Sequence, residues 1–274
     1  MPRLPLEDNF NDVINKSQRG LGLSDAALAK LAGVSTDDLT AIKEGRVLDE
    51  VIRRVARNLR LSPDALLALA YKSWYPETPV IKRGFAMFNT PFEDMTVNSY
   101  IVWDCGTREA AVFDTGANCD DMLALIAAEK LRVQAIFLTH THDDHIADLP
   151  KLVAATGATV WAGELEPSDF PGAQTFKENA TFHFGELAVK ALFTWGHSPG
   201  MTSYVVAGLT QPLAIVGDSI FASSMGGSPT HFREQYENNR VKLMTLYRDT
   251  VFACGHGPLT TLTQERLHNP FFAR

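Results

Sequence analysis

Thr139-His140-Thr141-His142-Asp143-Asp144-His145 follows directly on the apolar run Val133-Gln134-Ala135-Ile136-Phe137-Leu138. The run reads as a buried strand and Ile146–Ala155 as the helix after it, so the histidines fall on the loop leaving a strand's C-terminal end. Open α/β sheets place their sites there. Side chains two apart on extended chain point the same way, so His140 and His142 can grip one ion from one side. Asp144 and His145, past the bend into the helix, face elsewhere and suit a second ion. Imidazole with carboxylate fits zinc, iron or manganese, whereas a calcium site is built from oxygen alone. A chance cluster of solvated polar residues is the competing reading, and the rest of the chain weighs against it.

Three further signals stand at strand-to-loop junctions: Gly196-His197-Ser198-Pro199-Gly200, Gly217-Asp218-Ser219 and Gly255-His256-Gly257-Pro258. They follow strand candidates Ala188–Trp195, Leu213–Val216 and Thr250–Ala253. A lone loop histidine is usually not a ligand, and a lone Gly-Asp is usually a turn. Taken with the opening motif, they account for five of the eight histidines. Other strands are expected at Ile81–Phe88, Ser99–Trp103, Ala110–Phe113, Thr159–Ala162 and Thr202–Ala207. Helices are expected at Asp121–Lys130 and Phe232–Tyr247.

The first 75 residues read as helices only. Ser24 and Ser35 stand at N-cap positions, with Ser35-x-x-Asp38 a capping-box-like pair, and Gly33 and Gly45 close the helices they begin. Ser62-Pro63 starts another helix. Leu28, Leu31, Val34, Leu39 and Ile42 make an apolar face across the Gly33 turn, as in a helix-turn-helix. The run Leu23–Leu69 resembles the small five-helix domain of the lambda-repressor/Cro-like family. Its would-be reading helix, however, opens Thr36-Asp37-Asp38, and carboxylates there repel phosphate. Arg53, Arg54, Arg57 and Arg60 cluster on the fourth helix and read as a solvated face. Residues 1–75 hold 11 Lys/Arg against 10 Asp/Glu, and residues 76–274 hold 14 against 22. The overall net charge of −7 disfavours non-specific binding to nucleic acid or anionic membrane. Tyr71–Pro79 reads as the linker, giving a helical domain at 1–75 and a second domain at 76–274.

Cys105, Cys119 and Cys254 are odd in number and form no C-x-x-C pair, so a reducing cytosol is the natural home. Neither a signal peptide nor the ~18 apolar residues of a membrane span is expected.

His140-x-His142-x-Asp144-His145 with His197, Asp218 and His256 resembles the full ligand set of the metallo-β-lactamase superfamily, and specifically its glyoxalase II-like hydrolases. Phe113-Asp114-Thr115-Gly116, Gly217-Asp218-Ser219-Ile220-Phe221 and the tail Glu265-Arg266-Leu267-His268-Asn269-Pro270-Phe271 support that placement. The resemblance covers about residues 78–274. It implies an αββα sandwich, so the whole chain is expected to be α+β, with a small helical domain ahead of the sandwich.

By the same resemblance, His140, His142 and His197 bind one divalent metal, Asp144, His145 and His256 a second, and Asp218 bridges them. Zinc is the expected metal, with iron or manganese as alternatives, and Asp114 supports the ligand loop. The implied chemistry is attack by a metal-bridging hydroxide on a small thioester or ester, with Asp144 also able to take a proton. Asp rather than Cys at 218 sets the chain apart from the best-known β-lactamases. Gly227 stands where many relatives carry a basic residue, which counts against glutathione recognition and persulfide dioxygenase activity. Lactonase, mononuclear-iron persulfide dioxygenase and DNA-binding regulator with a metal-containing sensor domain are the competing functions. His231 reads as a surface histidine and Cys254 as packing. The helical domain is expected to serve as a docking surface, through a homodimer contact or as a wall beside the metals, rather than to bind DNA.

Overall fold

Residues alternate inward and outward along the strands, and that alternation sorts them into three apolar layers. The computed structural model describes residues 3–273. Five helices come first: α1 (Phe10–Gly20), α2 (Asp25–Ala32), α3 (Thr36–Lys43), α4 (Asp49–Asn58) and α5 (Pro63–Ala70). One sheet then contains β1 (Phe85–Phe92), β2 (Met95–Trp103), β3 (Glu109–Phe113), β4 (Arg132–Phe137), β5 (Thr159–Gly163) and β6 (Gln174–Phe176), in that spatial order. Between these strands run α6 (Asp120–Glu129), α7 (Asp143–Ile146) and α8 (Leu149–Thr156).

The second sheet is ordered β12-β11-β10-β9-β8-β7, from β7 (Thr181–Phe184), β8 (Leu187–Phe193), β9 (Thr202–Ala207), β10 (Leu213–Gly217), β11 (Val251–Cys254) and β12 (Thr260–Thr261). Helix α9 (Phe232–Asn238), a π turn (Asn239–Leu243) and α10 (Leu262–His268) complete the chain.

Tyr100, Val102, Phe113, Phe137, Val189, Tyr204 and Ile215 fill the space between the sheets. The alternate residues Ile101, Val112 and Ile136 face α6 and α8 with Met122, Leu149 and Leu152. On the second sheet Ala214, Val216 and Phe252 face outward, against a layer that joins Phe232, Leu262 and Phe271 to Val13, Ile14, Leu59 and Leu66 of the N-terminal helices. The result is a helix–sheet–sheet–helix sandwich whose second helical layer includes the N-terminal region. No gap separates that region from the sheets. Ser62 N donates to Pro270 O at 2.8 Å, and Trp74 stacks on His268 at 4.4 Å.

Local details differ from the sequence reading. Helix α1 is an additional element ahead of the Leu23–Leu69 run, started where Asn9 N donates to the Asp12 carboxylate at 2.9 Å. Helix α2 buries Leu28, Ala29 and Ala32, which leaves Leu31 58% exposed rather than on the apolar face. Strand β1 starts at Phe85 and not Ile81, because Gly84, at φ 75°, turns the chain into the sheet. The helix expected over Ile146–Ala155 begins at Leu149, with Pro150 in its first turn, where a missing N–H costs nothing. Phe232–Tyr247 is α-helical only to Asn238. The wider turn that follows brings Asn239 inward, where its Nδ2 donates to Ser219 O at 2.6 Å. Strands β6 and β12 and helix α10 were not foreseen as elements.

The tail quoted above has a structural task. Buried Glu265 accepts from Thr260 Oγ1 (2.7 Å), Ser223 N (3.0 Å) and Asn269 Nδ2 (2.8 Å), and Asn269 donates to Ser224 O (2.8 Å). Together they hold the loop that follows Asp218. Burial lifts the Glu265 carboxyl to about 7, although those three donors favour its ionised form. Since the folded value exceeds the unfolded one, the native state holds the extra proton. Its stabilising effect is full below pH 4.5 and is lost as pH rises through about 7. Glu265→Gln keeps every hydrogen bond with the Thr260 hydroxyl reversed. It is therefore expected to gain on the order of 3 kcal/mol relative to wild type between pH 4.5 and 8. Chemical denaturation of both proteins at the two pH values checks this; an unchanged difference refutes it.

Candidate metal centre

Strand ends bring the polar residues to one edge of the sandwich. The β4–α7 loop carries His140 and His142, and α7 holds Asp144 and His145. His197 lies between β8 and β9, Asp218 directly after β10, and His256 two residues after β11. All seven residues singled out in the sequence meet here. Their donor atoms form three overlapping trios, each within 4.8 Å: His140, His142 and His197; His140, His145 and Asp218; Asp144, His145 and His256. His142 is exposed at the mouth, whereas His140, His145, Asp218 and His256 are buried. Asp218 lies between the groups: Oδ2 is 3.3 Å from His197 Nε2 and 3.5 Å from His256 Nε2, and Oδ1 is 3.3 Å from His145 Nε2.

What surrounds the histidines fixes which nitrogen of each faces inward. Asp114 accepts from Thr139 N (2.7 Å) and, through Oδ2, from both Thr139 Oγ1 (2.7 Å) and His145 Nδ1 (2.8 Å). Because the Thr139 hydroxyl is spent on Asp114, its oxygen accepts from His140 Nδ1 at 3.0 Å. His197 Nδ1 donates to Gly227 O and His256 Nδ1 to Thr96 O, both at 2.8 Å. In these four rings Nδ1 carries a proton that points outward, and Nε2 points into the cluster. His140 Nε2 and His197 Nε2 lie 3.0 and 3.1 Å from His142 Nδ1.

Glu166 is a participant the sequence reading passed over. Buried, it accepts from Thr141 N (2.8 Å) and Oγ1 (3.0 Å) with one oxygen, and from Ser198 Oγ and Gly200 N (both 2.8 Å) with the other. It ties the His140–His145 loop to the loop of His197. Nothing in Glu164-Leu165-Glu166-Pro167 sets it apart from a surface glutamate. Cys254 is buried beneath the site with its thiol pushed well above the ordinary range by burial, which suits packing rather than chemistry. His231 is exposed and takes no part in the cluster.

Electrostatics describe a site short of positive charge. Burial opposes charge on His145 and His256, yet the carboxylates beside them prevail. Asp114 and Asp218 raise His145 to about 10, and Asp218 with Asp144 raises His256 to about 11. Asp218 lies well below the usual carboxylate range, its burial outweighed by His256 and His145. Burial, joined by the charge of His145, holds His140 well below the ordinary imidazole range. His145 Nε2 and Asp218 Oδ1 are buried without a hydrogen-bond partner. Buried polar atoms are seldom left so. Convergent imidazole and carboxylate donors with unmet bonding capacity fit divalent cations.

Comparison with known proteins agrees. Residues 93–256 match the sequence profile of the Metallo-beta-lactamase superfamily. The chain belongs to that superfamily. It is 28% identical over 200 residues to hydroxyacylglutathione hydrolase GloC of Haemophilus influenzae, covering 64% of this chain and 92% of that protein. Among solved structures it resembles the BLEG-1 B3 metallo-beta-lactamase, with TM-score 0.57 and 27% identity over 69% of this chain and 100% of that one. It also resembles TTHA1623 in a di-iron-bound form, with TM-score 0.55 and 26% identity over 67% and 99% of the two chains. These superfamily members share the sandwich; the five N-terminal helices (residues 10–70) lie outside the matched 93–256 segment.

Proposed function

We propose that the chain is a metal-dependent hydrolase acting on a small thioester, in the manner of glyoxalase II. The observation that carries the reading is the outward anchoring of the four ring N–H groups, which leaves the other nitrogens free and convergent. His140, His142 and His197 would hold one divalent ion, Asp144, His145 and His256 a second, and Asp218 lies within reach of both groups. Two divalent ions bound there supply Lewis acidity and a nucleophile at neutral pH.

The protein's own groups do the rest. Asp218, between the two sets of histidines, would supply negative charge to cations held on either side. Asp144, with Oδ2 3.3 Å from His256 Nε2, is placed to ligate and to receive a proton. Asp114, Thr139 and Glu166 keep the ligand loops from collapsing onto one another, so the site is preorganised rather than assembled by the substrate. Zinc is the metal proposed, and the di-iron form of the TTHA1623 relative makes iron the alternative to assay.

Thioester rather than β-lactam is supported by Asp218, by the Gly255-His256-Gly257-Pro258 and Asn269-Pro270-Phe271 segments, and by the likeness to a hydroxyacylglutathione hydrolase. Metal analysis joined to a screen of thioesters, lactones, persulfides and a cephalosporin tests it. We expect two equivalents of metal per chain and thioester turnover well above that of the cephalosporin. Lactone turnover alone makes the enzyme a lactonase. One equivalent of iron with oxygen consumed on a persulfide makes it a dioxygenase.

The helical region is proposed to dock on the hydrolase fold instead of on DNA. Asp37 is exposed at the start of α3, and Arg53 and Arg54 are engaged by Asp64 and Glu50 at 2.6 and 2.9 Å. Phosphate binding draws on free cationic side chains, each contact steepening the salt dependence.

A further inference from the structure

The N-terminal region reaches the metal centre itself. Residues 5–8 run past the loop that carries His256: a Cβ on Gly257 would lie 3.3 Å from Pro5 O and 3.4 Å from Glu7 N. Asp8, at the end of this segment, is buried. Its Oδ2 accepts from Ser224 Oγ and from Lys16 Nζ of α1, both at 2.5 Å. Lys16 in turn donates to Met225 O at 3.1 Å, sits 5.3 Å from the centre of the Phe221 ring, and brings its Cε within 3.9 Å of a Cβ on Gly227. This largely buried ion pair therefore touches the 221–227 loop at Phe221, Ser224 and Met225, with Lys16 passing beside Gly227.

That loop touches two of the proposed ligands. Gly227 O receives the His197 Nδ1 proton at 2.8 Å, and the Phe221 ring packs edge-on against His256 at 5.6 Å. The loop begins three residues after Asp218. Its inner side is already held by Glu265, Asn269 and Gln235, whose Nε2 donates to Gly226 O at 3.0 Å. Asp8 and Lys16 hold the outer side.

We infer that Asp8 and Lys16 are positioning residues of the metal centre: by clamping the 221–227 loop they set His197 and His256 for ligation, which makes the helical region a working part of the site. The inference rests on the metal reading above, and its test needs no substrate.

Zinc affinity is measured by competition with a chromophoric chelator on the full-length protein. The variants are Asp8→Asn with Lys16→Met, which removes both charges and so leaves no orphan, and Lys16→Arg, which keeps the cation. Arg53→Ala, from an exposed pair of the same helical region, is the reference. Loss of supporting hydrogen bonds around a metal site costs roughly 10- to 100-fold in affinity. The double variant is expected to bind zinc about tenfold or more weakly, Lys16→Arg close to wild type, and Arg53→Ala as wild type. Should the double variant not fold, Ser224→Ala removes only the hydroxyl that Asp8 accepts and is expected to weaken zinc in the same direction. Wild-type affinity in the double variant or in Ser224→Ala overturns the inference, as does an equal loss in Arg53→Ala. A wild-type protein that takes up no zinc or iron instead removes the metal reading on which the inference stands.

Discussion

Asp218→Ala is expected to abolish thioester hydrolysis and strip metal from the protein. The carboxylate sits within 3.3–3.5 Å of the inward nitrogens of His145, His197 and His256, buried and with one oxygen unpartnered. With two cations bound it would be the group that offsets their mutual repulsion. It also stands among histidines that share one crowded space, with His140 and His142 only 3.0 Å apart at their inward nitrogens. Taking one partner from a buried charged group costs about 3–5 kcal/mol, because the others stay buried and uncompensated. Metal affinity should fall by more than the ~100-fold that a supporting hydrogen bond alone can account for. Turnover should drop to the level of buffer. His183→Ala is the matched control: that residue lies exposed on β7, away from the cluster. Metal content by atomic emission and thioester turnover are the two readouts. Near-native turnover with full metal in Asp218→Ala would rule out the proposed mechanism.

The second large effect concerns the helical region. Deleting residues 1–75 is expected to yield a protein that aggregates or unfolds at ambient temperature. Phe232, Phe271 and Phe272, all nearly buried, share one apolar cluster with Phe10, Val13, Ile14, Leu59 and Leu66. Uncovering the three phenylalanines costs about 1.5–3 kcal/mol each, or roughly 5–9 in all. That matches the ~5–15 kcal/mol by which whole domains are stable. Gly20→Ala offers a gentler version of the same test. A Cβ there would overlap the Phe232 ring, so α1 must move away from α9. Its melting temperature should fall measurably although alanine favours helix over glycine. A truncated protein that stays monomeric, folded and as stable as the full chain would contradict the shared core. A duplex bound at nanomolar strength in physiological salt, lost on truncation, would return the helical region to DNA binding.

The seven cluster residues were legible because their chemistry is carried by side chains, and because each stands where a strand gives way to a loop. Glycines beside His197, Asp218 and His256 marked those junctions in the sequence. What anchors the rings was not legible. Thr96 and Gly227 contribute backbone carbonyls, which no residue type announces. Glu166 looks like any loop glutamate until folding brings the His197 loop beside it. Strands such as β8 and β9, at seven and six residues, are long enough to show as apolar runs, whereas β6 and β12, at three and two residues, are too short to show one. The apolar faces of the N-terminal helices could be read from Leu28, Leu39 and Ile42. Which surface covers them is set by residues some 200 positions away, and periodicity says nothing of that.

That distance shapes how the chain is made. Phe271 and Phe272, which close the cluster over α1 and α5, leave the ribosome roughly 200 residues after Leu69. At synthesis rates of about 5–20 residues per second, the first five helices wait some 10–40 s for their cover. Helices form far faster than that. For that interval a nascent chain presents a folded but sticky surface, with its apolar side open to whatever chaperone meets it first. A pause in translation shortly before Phe232 would lengthen the exposure, and one placed before residue 10 would not.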